Sequence, residues 1–139
     1  VDVNLLLYAA NAGSPFHSRA SAWLSDQLNG SRRVGLPWHC LVSFLRISTH
    51  PRAYRSPLTA AEAVAQVNRW LATSVSWIPE PGPGHADLLA NLITKYDLRG
   101  NLIPDAHLAA LALEHGLTLY SADSDFARIP ELTWVNPVA

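Results

Sequence analysis

The sequence predicts an α/β fold: a three-layer α/β/α sandwich with a mainly parallel central sheet. Short apolar runs such as Val75 to Ile78 and Leu117 to Ser121 alternate with longer helical patterns, which calls for crossover connections and therefore parallel pairing. Hydrophobic residues make up 49% of the 139 residues and charged residues 15%, enough to bury a core within one domain spanning residues 1–139. No internal repeat or low-complexity tract divides the chain.

Val1-Asp2-Val3 reads as a first strand, and because the chain contains no methionine, a natural start a few residues upstream is expected. Asn4 to Ala10 is a short apolar helix. A second helix runs from about Phe16 to Leu28, where Phe16, Ala20, Trp23, Leu24 and Leu28 recur near a 3.6-residue period and Asn29-Gly30 gives the stop. Arg33 to Leu36 is a short strand. Pro37 suits the first turn of a third helix, which continues to about Thr49 and ends at His50-Pro51. Thr59 with Glu62 three residues on has capping-box spacing before a fourth helix, Ala60 to Ala72. Val75 to Ile78 is a strand, and the proline-glycine segment 79–84 opens into a helix from His85 to Tyr96. Leu98 to Asn101 is a turn, Pro104 occupies a first helical turn, and Ala106 to Glu114 is alanine-leucine rich and ends at Gly116. Leu117 to Ser121 is a buried strand, Asp123-Ser124-Asp125-Phe126 an acidic turn, and Thr133 to Val135 a last strand.

Composition narrows the function. A single cysteine, Cys40, cannot form an internal disulfide and reads as a core thiol; no signal-peptide pattern or membrane-spanning apolar run is visible, so the reading is cytoplasmic with no membrane partner. The net charge of −1 provides no global attraction to nucleic acid, so any such binding rests on local patches. Arg32, Arg33, Arg46, Arg52 and Arg55 form the one basic concentration, with a scattered solvated surface as the alternative. The low charge also leaves an apolar surface that suits a partner.

In parallel sheets, ligands gather beyond the carboxyl ends of strands. Asp2, Asp105 and Asp123 lie where that rule places a site, and Asp125 adds a fourth carboxylate. A ring of aspartates without a histidine or cysteine cluster suits a hard ion, Mg²⁺ or Mn²⁺, better than zinc. Each has a plainer alternative. Asp105 beside Pro104 fits a helix-start acid, and Asp123 and Asp125 fit turn organisers. Asp2 is harder to explain so, because a carboxylate among Val1, Val3 and Leu5-Leu6-Leu7 is costly to bury unless paired or metal-bound. Asn4 either orients Asp2 or caps the first helix. Arg46 either reaches an aspartate or an RNA phosphate, or is an ordinary ion-pairing arginine. His107 reads as a helix-surface histidine.

Asp2-Val3-Asn4-Leu5-Leu6-Leu7-Tyr8-Ala9 resembles the opening motif of PIN-domain ribonucleases. Pro104-Asp105-Ala106-His107-Leu108-Ala109-Ala110-Leu111-Ala112 resembles their central aspartate-bearing helix, and Ser121-Ala122-Asp123-Ser124-Asp125-Phe126 their closing acidic turn. The motifs occur in family order, and Phe44-Leu45-Arg46-Ile47-Ser48-Thr49 resembles a VapC-like subgroup found in mycobacteria. The resemblance implies the toxin of a toxin–antitoxin pair: an endoribonuclease in which Asp2, Asp105 and Asp123, with Asp125, hold Mg²⁺ or Mn²⁺ and a metal-activated water hydrolyses RNA to a 3′-hydroxyl and a 5′-phosphate. It implies tRNA or rRNA as substrate, a VapB-like antitoxin received by the faces that carry Tyr8, Phe16 and Trp23, and a homodimer. One position departs. Ser43 stands where many PIN nucleases carry a glutamate, so a ligand is missing.

Two rivals remain from the sequence. With Ser43 in place of the acid, the chain could be a catalytically silent PIN-like module that binds RNA or a partner. A receiver-like phosphotransfer domain would need a lysine near a phosphoryl-accepting aspartate, and Lys95, the only lysine, follows no strand.

Overall fold

Local signals set most element boundaries in the computed structural model of the protein, which describes residues 1–139. It comprises six α-helices, four short strands and one 3₁₀ helix. The chain divides into two units, the first of Val1, Val3–Ile78 and Val138, the second of Asp2, Pro79–Pro137 and Ala139.

The first unit contains α1 (Val3–Ala10), α2 (His17–Leu28), β1 (Val34–Gly35), α3 (Trp38–Ser48), α4 (Ala60–Leu71) and β2 (Ser76–Trp77). The capping box forms as expected: the Glu62 N–H donates to Thr59 Oγ1 at 3.1 Å and the Thr59 N–H to Glu62 Oε1 at 2.9 Å, satisfying two backbone donors at the start of α4. Helix α4 then buries Ala63, Val67 and Trp70, one helical stripe. Trp70 meets Phe44 of α3 edge-on at 4.8 Å between ring centroids, the arrangement that aromatic quadrupoles favour. Pro37 sits at the N-cap of α3 in extended conformation, and α3 buries Cys40, Leu41, Phe44 and Ser48. Strands β1 and β2 pair in parallel, Val34 with Ser76 and Gly35 with Trp77. The ladder is short because its donors, the Val34 and Leu36 amides on Val75 O and Trp77 O at 2.8 Å each, fall on alternate residues, and the next, Trp38, already belongs to α3.

The second unit contains α5 (His85–Lys95), α6 (Leu102–Glu114), β3 (Leu119–Tyr120), the 3₁₀ helix (Ser124–Arg128) and β4 (Trp134–Val135). Gly116 adopts φ 64° just beyond α6. There the Leu117 amide reaches Ala112 O at 2.8 Å and the Gly116 amide reaches Leu113 O at 3.3 Å, a Schellman ending. Helix α5 ends in the same way, with Asp97 rather than glycine at φ 50° and the Leu98 amide on Ile93 O at 3.0 Å. Strands β3 and β4 pair in parallel, Leu119 with Trp134 and Tyr120 with Val135. No helix is long and apolar enough to cross a membrane.

Three expectations change. Val1-Asp2-Val3 is not a strand: Val3 already belongs to α1, which leaves too few residues for a ladder, and the Asp2 amide makes a single bond to Tyr120 O at 3.0 Å. Helix α6 starts at Leu102, ahead of Ala106, because Pro104 falls third in the helix, where an N–H has no intrahelical acceptor to lose. The acidic turn is a 3₁₀ helix capped by Asp123.

Candidate metal centre

The second unit gathers carboxylates from three places in the chain. Asp105 lies in the first turn of α6, and Asp123 and Asp125 lie at the start of the 3₁₀ helix after β3. Carboxylate oxygens of Asp105, Asp123 and Asp125 come within 4.8 Å of one another. Asp2 is not in that group of three but is joined to it through Ser121, the residue after β3. The Ser121 hydroxyl, with 0% exposure, donates to Asp2 Oδ2 at 2.7 Å and accepts the Asp123 N–H at 3.0 Å. Trp134 of β4 holds the Ser121 carbonyl with its indole N–H at 2.9 Å.

Electrostatics distinguish this cluster from four surface acids. A helix N-terminus stabilises a carboxylate by roughly 0.3–1 kcal/mol, which lowers its pKa by less than about one unit. The Asp105 carboxyl instead goes up to about 6, because burial disfavours its charge and Asp123, Asp2 and Asp125 add negative potential. Repulsion and desolvation therefore outweigh the macrodipole. A cation placed among these oxygens would remove both penalties.

The donors fit a hard divalent ion. All are carboxylate oxygens, and a six-coordinate Mg²⁺ with bonds of about 2.1 Å places ligand atoms between about 3 and 4.2 Å apart, a spacing that the Asp105, Asp123 and Asp125 oxygens approach. Asp123 is also the turn organiser that its sequence suggested: Oδ1 accepts the Asp125 N–H at 2.9 Å, which orients the rest of the carboxylate. Asp125 forms only an exposed pair with Arg128, 3.5 Å apart, a contact weak enough to be exchanged for a stronger ligand.

The other sequence candidates lie in the first unit. Asn4 is half-buried in the first turn of α1, Ser43 half-buried on α3, and Arg46 exposed in the last turn of α3. Ser121 has no role legible in the sequence, since a strand hydroxyl carries no signature of its own. The expectation of a helix-surface His107 outside any histidine cluster also changes. His107 is in fact half-buried, its Nδ1 2.9 Å from Nε2 of His85 on α5. That contact joins positions far apart in sequence, which periodicity cannot detect.

A mixed α/β chain with this carboxylate centre defines its class, and the match to the PIN-domain family over residues 1–132 shows that the chain belongs to it. It is similar over nearly its whole length to mycobacterial relatives. It is 41% identical over 137 residues to ribonuclease VapC33 of Mycobacterium tuberculosis strain H37Rv, covering 99% of this chain and 96% of the relative. It is 42% identical over 139 residues to ribonuclease VapC37 of the same strain, covering 100% and 96%. To the VapC ribonuclease Mb2897 of Mycobacterium bovis it is 37% identical over 138 residues, covering 99% and 94%.

Proposed function

We propose that this chain is a divalent-metal-dependent endoribonuclease acting as the toxin of a toxin–antitoxin pair. The observation that carries the reading is the convergence of Asp105, Asp123 and Asp125 in a chain whose full-length relatives are ribonucleases. Asp2, Asp105, Asp123 and Asp125 would hold Mg²⁺ or Mn²⁺. The bound ion supplies an activated water and neutralises charge on the phosphate, which removes the need for a nucleophilic side chain. The protein's own share is to collect the charge. Burial and the neighbouring aspartates push the Asp105 carboxyl up to about 6, which leaves it charged and able to take a cation at neutral pH, and Ser121 holds Asp2 and the Asp123 backbone in one register. The products are a 3′-hydroxyl and a 5′-phosphate, with tRNA or rRNA as substrate.

Arg32, Arg33, Arg46, Arg52 and Arg55 are all exposed, as residues that steer RNA must be. Asn4 and Arg46 are assigned supporting roles in orienting a ligand and contacting phosphate. Residues 1–139 are read as one PIN-like domain with a three-layer α/β/α architecture, since one family match runs through most of both units. For partners, we assign a VapB-like antitoxin and a second copy of the chain, in the cytoplasm. A groove of about 420 Å³ lined by Leu24, Leu28 and Trp70 together with Ser21, Gln66 and Arg69 offers the antitoxin a mixed apolar and polar seat, and Trp38 and Val42, one turn apart and exposed on α3, favour a further protein contact. Tyr8 and Phe16 pack against each other at 5.0 Å.

Ser43 favours one other reading, a PIN-like binding module that no longer cuts, because its hydroxyl cannot replace a carboxylate ligand. The two separate when purified, antitoxin-free protein is incubated with total RNA, with and without Mg²⁺ or Mn²⁺, beside the Asp105→Asn variant. Discrete metal-dependent cuts absent from the variant support the nuclease. A folded protein that binds RNA but leaves it intact with either ion supports the silent module.

A further inference from the structure

His85, the first residue of α5, uses both ring nitrogens on α6. Its Nδ1–H is held by the Glu114 carboxylate and its Nε2 shares a hydrogen bond with His107 Nδ1 at 2.9 Å. The two imidazoles meet edge to face, 4.8 Å between centroids. Partial burial raises the Glu114 pKa, but the hydrogen bonds from His85 and from the Gly82 N–H, the latter at 2.9 Å, bring the carboxyl below its usual range. His115 adds a contact from Nε2 to Glu80 O at 2.8 Å, so the end of α6 also holds the proline-glycine loop.

His107 and Glu114 are two turns apart and share one face of α6, whereas Asp105 lies about 200° round the helix from His107. The bridge therefore grips α6 from the side opposite the carboxylates. Two features make that grip consequential. The buried surface of α6 is rich in alanine, at Ala106, Ala109, Ala110 and Ala112, with Leu108 and Leu111 its only large buried side chains, so few deep ridges fix its register against its neighbours. In addition, the negative charge of Asp123, Asp2 and Asp125 pushes against Asp105 on the first turn.

We infer that His85 is a positioning residue for the carboxylate centre: its bridge to His107 and Glu114 sets the axial position and rotation of α6, and so holds Asp105 where a divalent cation can be shared with Asp123 and Asp125. This rests on the reading of that cluster as a metal site. A one-residue slip would move Asp105 by about 1.5 Å along the axis and about 100° around it, enough to break any common coordination. The ring geometry allows neither.

The test measures Mn²⁺ affinity by electron paramagnetic resonance, well below the melting temperature, for wild type, His85→Ala, His107→Ala, the double variant, Leu92→Ala and Asp105→Asn. Amide hydrogen exchange of metal-free protein is followed in parallel. His85→Ala weakens Mn²⁺ binding by about two- to thirtyfold, the scale on which residues that touch no ligand modulate a distant site, and speeds exchange over residues 102–107. His107→Ala does the same with less disturbance of the core, and the double variant is no worse than His85→Ala because the bridge is already broken. Leu92→Ala removes a buried α5 side chain without touching the bridge; it lowers the melting temperature and keeps the affinity. Wild-type affinity in folded His85→Ala and His107→Ala, with Asp105→Asn impaired, overturns the positioning role alone. An equal loss in Leu92→Ala overturns it too, by reducing it to general stability. Wild-type affinity in Asp105→Asn overturns both the positioning role and the metal site beneath it.

Discussion

On one side of α6 the Asp105 carboxylate is partly buried and meets further negative charge from Asp123, Asp2 and Asp125, and its pKa goes up to about 6. On the other, the Glu114 carboxylate is met by donors from His85 and Gly82, and its pKa goes down. The same helix thus carries an acid left uncompensated and an acid met by donors, about two and a half turns apart and on opposite sides. The contrast is what the proposed cation site requires: carboxylates that repel one another in one place, and a carboxylate already met by hydrogen-bond donors in the other.

The strongest way to break the contrast is to remove the uncompensated charge. Asp105→Asn keeps the side-chain shape and should lower metal-dependent RNA cleavage by about 100-fold or more, the scale seen when a main electrostatic stabiliser is lost; single-turnover cleavage measures it. Ser121→Ala is next. It leaves the Asp2 carboxylate, at 8% exposure, without its hydroxyl donor and frees the Asp123 turn, so Mn²⁺ affinity should drop about 10- to 100-fold.

Acid sharpens the contrast more gently. Below pH 6, protonation of Asp105 competes with metal, and calorimetric Mn²⁺ affinity should decline by up to about tenfold per pH unit. The effect on folding has the opposite sense. Because the folded pKa lies above the unfolded value of 3.8, the folded state binds the proton more tightly. This group's contribution to metal-free stability is therefore full below about pH 4, is lost as pH rises toward 6, and is flat beyond.

The smallest effect lies outside both carboxylate sites. Asp97, which closes α5 at φ 50°, adopts a backbone conformation that costs a non-glycine residue roughly 1 kcal/mol. Its exposed pair with Arg99 returns little. Asp97→Gly should therefore raise the melting temperature by a few degrees and leave Mn²⁺ affinity unchanged.

Helix starts and stops were legible where one residue type has one job. Thr59 and Glu62 announced α4, and Gly116 announced the end of α6, because capping and left-handed backbone are local requirements. Strand lengths were less legible, since β1 stops where the chain turns at Pro37 into α3, and Val1 to Val3 lost its strand to the helix that follows. Of the site, Asp105, Asp123 and Asp125 could be picked out only as a set, because each alone is an ordinary helix-start or turn acid while together they follow the order of the family's motifs, and the structure places them together. Ser121, His85 and Glu114 could not, because their importance lies in whom they touch across many residues of sequence. Ser43 remains informative from sequence alone, as the position where a family carboxylate is absent.

The most direct measurement is thermal unfolding of wild type and Asp105→Asn at pH 7.5, with and without Mn²⁺. The carboxylate centre predicts that the metal-free variant melts above metal-free wild type, since it lacks the repelled charge, and that Mn²⁺ raises the wild-type melting temperature while leaving the variant almost unmoved. Equal Mn²⁺ shifts in both proteins, or a variant that melts below wild type without metal, would contradict it.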